Sequence, residues 1–299
     1  MTNSPLASVR ATRDLMARYG LDTKKALGQH FLIDDNVVGR IIDLAAITPD
    51  DTVLEVGPGI GTLTLALLDK AAKVVAIERD ADLIPLLNES TAADSHRLRL
   101  INADALDVGA AQLAPDQPRL FVANLPYAVA ATLVLGFFQQ LPFLQAATVM
   151  VQSEVADRMV AQPGSKDYGA YTVKLRLHAQ ASGRFQVSPN CFFPPPRVES
   201  SVIRLERQTL LYHGAPASPQ LIQAATLAAD AAFTQRRKTI RNSMQAALLG
   251  RGYSKQCIDD ALEQAGINPG LRGETLTTQD FLRLGEALSS AKTALQDQR

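Results

Sequence analysis

The sequence predicts an α/β fold, an open and mainly parallel sheet flanked by helices, followed by a small all-helical C-terminal domain. Three observations carry this. Short apolar runs alternate with amphipathic segments through the first two hundred residues, the pattern of successive βαβ units. One of these runs, residues 53–56, ends in three glycines at alternate positions, Gly57, Gly59 and Gly61, and an amphipathic stretch follows at once. Strand, tight turn and helix in that order open a nucleotide-binding unit, because glycine accepts positive φ and lets a ligand approach the backbone. From about residue 209 the strand pattern stops and helical periodicity takes over. The expected boundaries are 1–208 for a ligand-binding sheet domain, with 1–23 as an N-terminal extension, and 209–299 for a helical domain.

Composition narrows the class. A chain of 299 residues, 46% hydrophobic and 20% charged, has ample material for a core and lies far from the disordered class. No apolar run approaches the ~18 residues of a membrane helix, and the N-terminus lacks the apolar core of a secretory signal. The two cysteines, Cys191 and Cys257, have no metal-ligand spacing, so a reducing cytoplasm is expected, with no metal and no membrane partner. Net charge is zero but unevenly spread. Residues 1–28 carry five Lys/Arg against two Asp/Glu, and residues 209–299 carry ten against eight, leaving the centre acidic. Basic ends suit a polyanion, although a solvated surface has the same composition.

Taken in order, residues 6–19 read as a short amphipathic helix with Leu6, Val9, Leu15 and Met16 on its apolar side. Lys24 and Lys25 precede an irregular stretch, 28–32, in which His30, Phe31 and Leu32 either cover a ligand or pin the loop to the core. Asp34 is a suitable N-cap for a helix over 35–46. Beyond the glycine turn, residues 73–80 form a second strand with Glu78 at its end, 21 residues after Gly57. That spacing suits a carboxylate that accepts both hydroxyls of a ribose. Thr62 stands where a dinucleotide fingerprint wants glycine, which favours a smaller nucleoside ligand. A third strand over 97–101 leads to Asp104, either an acceptor for an adenine amino group or a plain loop cap.

The most informative stretch is a strand over 120–123 that delivers Asn124, Leu125, Pro126 and Tyr127 at its C-terminal end. In an open α/β sheet ligands bind at that end. The Asn124 side-chain oxygen and the Leu125 carbonyl can accept the two protons of an aromatic amine, aiming its lone pair at a sulfonium methyl. Pro126 fixes φ and has no N–H to compete. Tyr127 offers a ring on which a flipped-out base stacks.

A helix over 129–141, a strand over 145–152, helices over 153–162 and 170–180, and strands near 184–188 and 198–206 complete the sheet domain. Three prolines in the 190–200 loop stiffen it and either present Phe192 or Phe193 opposite Tyr127 or pack a Phe into the core. Residues 210–219 read as a linker. Helices are expected over 219–232, 234–249, 254–265 and 277–288, with Ser254 as an N-cap, Thr277 and Asp280 as a capping box, and a frayed tail beyond. Arg236, Arg237, Lys238 and Arg241 crowd about one and a half helical turns, suited to RNA phosphates or to solvent.

Laid out in order, GQHFL, EVGPGIGTLT, AIERD, NADAL, NLPY, QSEVADRM, FFPPPRVES and FTQRRKTIRNS resemble the bacterial 16S ribosomal RNA adenine dimethyltransferases, the kasugamycin-sensitivity family, across residues 24–285. The resemblance implies a Rossmann-like class I methyltransferase sheet, with S-adenosylmethionine contacting His30, Leu32, Gly57, Gly59, Glu78, Asp104 and Asn124. It implies that Asn124, Leu125 and Tyr127, with Phe192, hold the target base. It also implies two transfers to each of two adjacent adenines in the 3′-terminal hairpin of 16S rRNA within the small ribosomal subunit, by a cytoplasmic monomer. Two positions depart from the family pattern, Ala103 for glycine and Glu199 for aspartate, and neither removes a group the chemistry needs. The alternatives are a 23S enzyme of the macrolide-resistance type and a small-subunit assembly factor whose catalysis is secondary. A cytosine-C5 methyltransferase would need a nucleophilic cysteine near Asn124, and a nicotinamide dehydrogenase is disfavoured by Thr62.

Overall fold

A computed structural model gives the structure of the protein and describes residues 2–22 and 29–296, so Lys24, Lys25 and Gly28 lie outside the described residues. The chain divides into two compact units, Met1–Ala156 with Ala181–Arg207, and Asp157–Gln180 with Gln208–Arg299. No helix among the described residues is long and apolar enough to cross a membrane.

The first unit opens with α1 (Val9–Arg18), capped by the Ser8 hydroxyl, which accepts from the Ala11 N–H. The short β1 (Phe31–Leu32) precedes α2 (Asp35–Ala45), whose N-cap Asp34 takes the N–H groups of Asn36 and Val37. Then come β2 (Thr52–Val56), α3 (Thr62–Lys70), β3 (Lys73–Glu78), α4 (Ile84–Ser90), β4 (Leu98–Asn102), α5 (Ala110–Leu113), β5 (Leu120–Asn124), α6 (Ala130–Gln140) and β6 (Ala146–Gln152). The valines, leucines and isoleucines of β2, β3, β5 and β6 are buried, as expected of central strands covered on both faces, whereas those of the edge strand β4 are half-buried. The chain leaves this unit within α7 (Ser153–Val160), forms α8 (Ala170–Arg176), and returns within β7 (Ala179–Val187). The short β8 (Phe192–Phe193) and β9 (Ser200–Arg207) follow.

Seven strands stand in the order β4-β3-β2-β5-β6-β9-β7. From β4 to β6 every pair is parallel, and β9 runs antiparallel to β6 with Met150 opposite Val202. The chain proceeds from β2 outward to β4 on one side, then from β5 outward on the other. The direction of winding therefore reverses between β2 and β5, and a crevice opens there beyond the carboxyl ends of the strands.

In the second unit a hairpin of β10 (Leu211–Tyr212) and β11 (Ala215–Pro216) occupies the stretch expected to be a plain linker. Helices α9 (Pro219–Ala232), α10 (Ile240–Leu248), α11 (Lys255–Gln264) and α12 (Thr278–Gln296) follow. Helix α9 buries five alanines, and a Cβ on Gly285 of α12 would lie 2.5 Å from the Ala225 nitrogen, so only glycine permits this approach. Tyr168 is fully buried in the same core and donates to the Leu276 carbonyl at 2.7 Å.

Four expectations change. Residues 157–180 pack with the C-terminal helices rather than with the sheet, so the division is not a single cut at 208. Helix α8 stops at Arg176 and β7 already begins at Ala179, where helix was expected. Helix α10 starts six residues later than the periodicity suggests, because the Thr239 hydroxyl caps Asn242 and the Ser243 hydroxyl accepts the Gln235 N–H, holding residues 233–239 as a turn. Helix α12 continues to Gln296 through Ala- and Leu-bearing sequence of high helix propensity.

Candidate active site

The glycine turn between β2 and α3 is one wall of the crevice. Gly57, Gly59 and Gly61 all have positive φ, at 69°, 60° and 91°. Any Cβ at Gly59 would also sit 3.0 Å from the Phe31 ring, so glycine is required there twice over. Glu78, at the tip of β3, ties the turn down. One carboxylate oxygen accepts the Gly59 N–H at 3.1 Å and the other the Asp80 N–H at 2.7 Å. Burial pushes the Glu78 carboxyl above its ordinary value, and the two backbone N–H groups oppose that shift.

Beside it stands Glu55, a carboxylate on the central strand that sequence reasoning did not single out. It is buried, burial pushes its pKa to about 8, and the Glu78 charge adds to the shift. Its Oε2 has no hydrogen-bond partner among the described residues, and the side chain lines the crevice. The available signal was an acid inside an otherwise apolar strand immediately before the glycines. At the tip of β4, Asp104 caps the following turn through the Leu106 N–H at 3.0 Å and faces the Arg79 guanidinium at 3.4 Å.

The opposite wall is the tip of β5. A Cβ on Gly57 would meet the Pro126 ring at 3.6 Å and the Asn124 carbonyl at 3.9 Å, which measures how close the two strand tips are. The Leu125 N–H is spent on the Met150 carbonyl at 3.1 Å. The Asn124 amide nitrogen donates to the His30 carbonyl at 3.1 Å, which leaves its oxygen as the unspent end among the described residues. The Tyr127 hydroxyl shares a 2.6 Å hydrogen bond with Ser200, a partner that no sequence pattern signals, and burial raises the phenol's pKa. The His30 ring stacks beside Tyr127 with centroids 5.9 Å apart, and its Nδ1 donates to the Pro194 carbonyl at 2.8 Å.

Together these walls bound a cavity of about 580 Å³. His30, Leu32, Gly57, Gly59, Glu78 and Asp104 of the sequence-predicted set line it, as do Asn124, Leu125 and Tyr127. Phe192 is the exception. It pairs with Leu32 across β1 and β8, is 2% exposed, and belongs to the apolar core under the sheet rather than to the cavity lining. An acidic, half-apolar crevice of this size suits a nucleoside that carries positive charge.

In the second unit the four candidate cations separate into two kinds. Arg236 faces Glu274 at 3.4 Å and donates to the Lys166 carbonyl, and Arg241 is bound to Asp259 at 2.7 Å. Arg237 and Lys238, on the exposed turn, have no ion-pair partner among the described residues.

The chain is similar to known proteins over most of its length. The family model for ribosomal RNA adenine dimethylases matches residues 20–288. A ribosomal RNA small subunit methyltransferase A from Kineococcus radiotolerans is 42% identical over 284 residues, covering 94% of this chain and 91% of the relative. One of the same name from Lachnoclostridium phytofermentans is 39% identical, covering 95% and 97%. Among solved structures, a dimethyladenosine transferase from Plasmodium falciparum shares the fold, with a TM-score of 0.73 at 24% identity, over 88% of this chain and 98% of that one. The 23S rRNA methyltransferase ErmE follows with a TM-score of 0.64 at 28% identity, over 87% and 99%.

Proposed function

The chain belongs to the ribosomal RNA adenine dimethylase family, and from that premise we propose that it dimethylates N6 of two adjacent adenines in the 3′-terminal hairpin of 16S rRNA, within the small ribosomal subunit. The observation that carries the reading is the shared cavity of Gly57 and Asn124, with the two strand tips in van der Waals reach of each other.

The residues present fit S-adenosylmethionine. Glu78 and Asp104 outnumber Arg79 among the charged groups of the lining, the glycine turn presents backbone with no side chain at Gly57 and Gly59, and the Glu55 Oε2 has no partner among the described residues. When bound, S-adenosylmethionine supplies a methyl group activated by a sulfonium centre. Gly57, Gly59, Glu78 and the backbone around His30 and Leu32 would hold it, with Glu78 accepting from the ribose hydroxyls and Asp104 from the adenine amino group.

Toward the substrate base, the Asn124 oxygen and the Leu125 carbonyl accept the amine protons and turn the nitrogen lone pair outward. Tyr127 stacks on the ring, steadied by Ser200. Positioning of this kind supplies most of what an in-line displacement needs. A dedicated base is not required, because the nitrogen becomes acidic only after it is alkylated. Arg237 and Lys238 contact RNA phosphates, the turn holding them clear of ion pairs. We take the protein to act as a monomer, and a ribosomal substrate supports a cytoplasmic site of action.

The 23S alternative is less well supported, since relatives named for the small subunit are 39–42% identical and ErmE is 28% identical. Incubation with labelled S-adenosylmethionine and undermethylated small or large subunits, followed by nucleoside analysis, tests the choice. Dimethyladenosine from small subunits is expected, and label confined to large subunits overturns the reading.

A further inference from the structure

We propose that the N-terminal helix α1, which precedes the family match, is a positioning element for the methyl-donor cavity, clamping the wall made by Phe31, Ile60 and Leu83 and so setting donor affinity. The proposal rests on the reading of that cavity as an S-adenosylmethionine site.

The apolar side of α1 enters the wall directly. Leu15 and Met16 are 3% and 5% exposed and share one buried cluster with Phe31, Ile60, Leu83 and Leu86. Phe31, Ile60 and Leu83 are themselves cavity-lining residues. The Phe31 ring lies against Gly59, whose N–H in turn holds Glu78. A continuous line of packed groups therefore runs from α1, through one aromatic ring, to the carboxylate assigned to the ribose.

The helix is also tied down at three places. At its start, the Asp35 carboxylate takes the backbone N–H of Asn3 at 3.0 Å and of Ser4 at 2.8 Å, anchoring the arm to α2. At its end, Arg18 pairs with Glu89 of α4 at 2.6 Å, and the Tyr19 hydroxyl donates to the same carboxylate. Midway, the Arg13 guanidinium lies 4.7 Å from the centre of the Phe193 ring, and Phe193 is the register partner of Phe31. The ties to Glu89 are exposed and individually weak, so the apolar insertion of Leu15 and Met16 carries most of the hold. A wall held in place before binding removes the ordering cost from the binding step. Helix α1 itself lies outside the cavity lining. Its effect is therefore expected in donor affinity and not in the chemical step.

The test uses the full chain. Donor affinity for S-adenosylmethionine and for S-adenosylhomocysteine is measured by calorimetry, with thermal unfolding and the KM-against-kcat split alongside. The double variant Leu15→Ala/Met16→Ala is expected to weaken both ligands by about tenfold while kcat at saturating donor stays within about twofold. The volume-conserving swap Leu15→Met/Met16→Leu is expected to restore affinity. Arg18→Ala/Tyr19→Phe, which leaves the apolar cluster intact, is expected to weaken binding by about two- to fivefold. If the alanine pair fails to fold, this surface variant decides alone. Affinities within twofold of the unaltered protein in the folded alanine pair, or in Arg18→Ala/Tyr19→Phe where that pair does not fold, overturn the clamp, as does a loss confined to kcat. An unaltered protein that binds neither ligand overturns the donor reading, and the clamp with it.

Discussion

The side-chain amide of Asn124 donates to the backbone carbonyl of His30 at 3.1 Å, so its oxygen is the end left without a partner among the described residues. An amide held at its nitrogen cannot flip to present the wrong group. Asn124→Ala removes an acceptor that matters as charge develops on the amine, and kcat is expected to fall about 100-fold or more. Donor affinity should change by only a few-fold. Single-turnover methylation of small subunits and calorimetry check the two halves. The same protein should still bind subunits, which makes it the reagent for separating an assembly role from catalysis.

Glu78 holds the glycine turn through Gly59 and is assigned the ribose hydroxyls. Glu78→Ala is expected to weaken donor binding by about 1.5–3 kcal/mol, the range for hydrogen bonds to a charged acceptor, or roughly 10- to 100-fold. Unchanged affinity by calorimetry would contradict the assignment.

Glu55 predicts a pH dependence of stability. Its pKa is about 8 in the folded chain against an ordinary 4.5. Between those values the unfolded chain has released the proton while the folded chain keeps it, so stability falls as pH rises and levels off above about 8. Glu55→Gln removes the titration. Its stability relative to the unaltered protein should therefore climb from pH 5 to pH 8, by roughly 1–4 kcal/mol at pH 7.5. Urea unfolding at several pH values reads this directly, and a difference that does not change with pH would mean Glu55 is ionised in the fold.

The four cations of the second unit should not behave alike. Neutralising Arg237 and Lys238 is expected to weaken RNA binding and lower the logarithmic salt slope by about 1.5, at ~0.7–0.9 for each phosphate no longer neutralised. Neutralising Arg241 breaks its pair with Asp259 and should alter the slope less than it alters thermal stability. Binding isotherms across a salt series distinguish the two, and equal slopes for all variants would assign the turn to solvent.

The parts of the site that could be read from sequence were those in which one residue type has one physical use. Alternate glycines after an apolar run, and Asn-Leu-Pro-Tyr at a strand end, state their geometry locally. Glu55 was not readable that way, because an acid in a strand faces solvent or the interior depending on whether the strand is central. Only the pairing of β2 with both β3 and β5 decides it. Phe192 and Phe193 are adjacent aromatics in a two-residue strand, and periodicity does not say which faces inward. The register Leu32 to Phe192 does. The Gln, Arg and Lys of residues 235–238 are good helix formers, and it took two hydroxyls, on Thr239 and Ser243, to hold them in a turn.

The excursion of residues 157–180 has a consequence for dissecting the molecule. A fragment ending at 208 would retain Tyr168, Val173 and Leu177 without the helices that bury them, and would leave a sticky apolar surface on an otherwise complete sheet. Its insolubility would report a mis-chosen cut rather than a sheet unable to fold alone. On the ribosome the same order of segments obliges this stretch to wait, half-covered, until the last ninety or so residues have been synthesised.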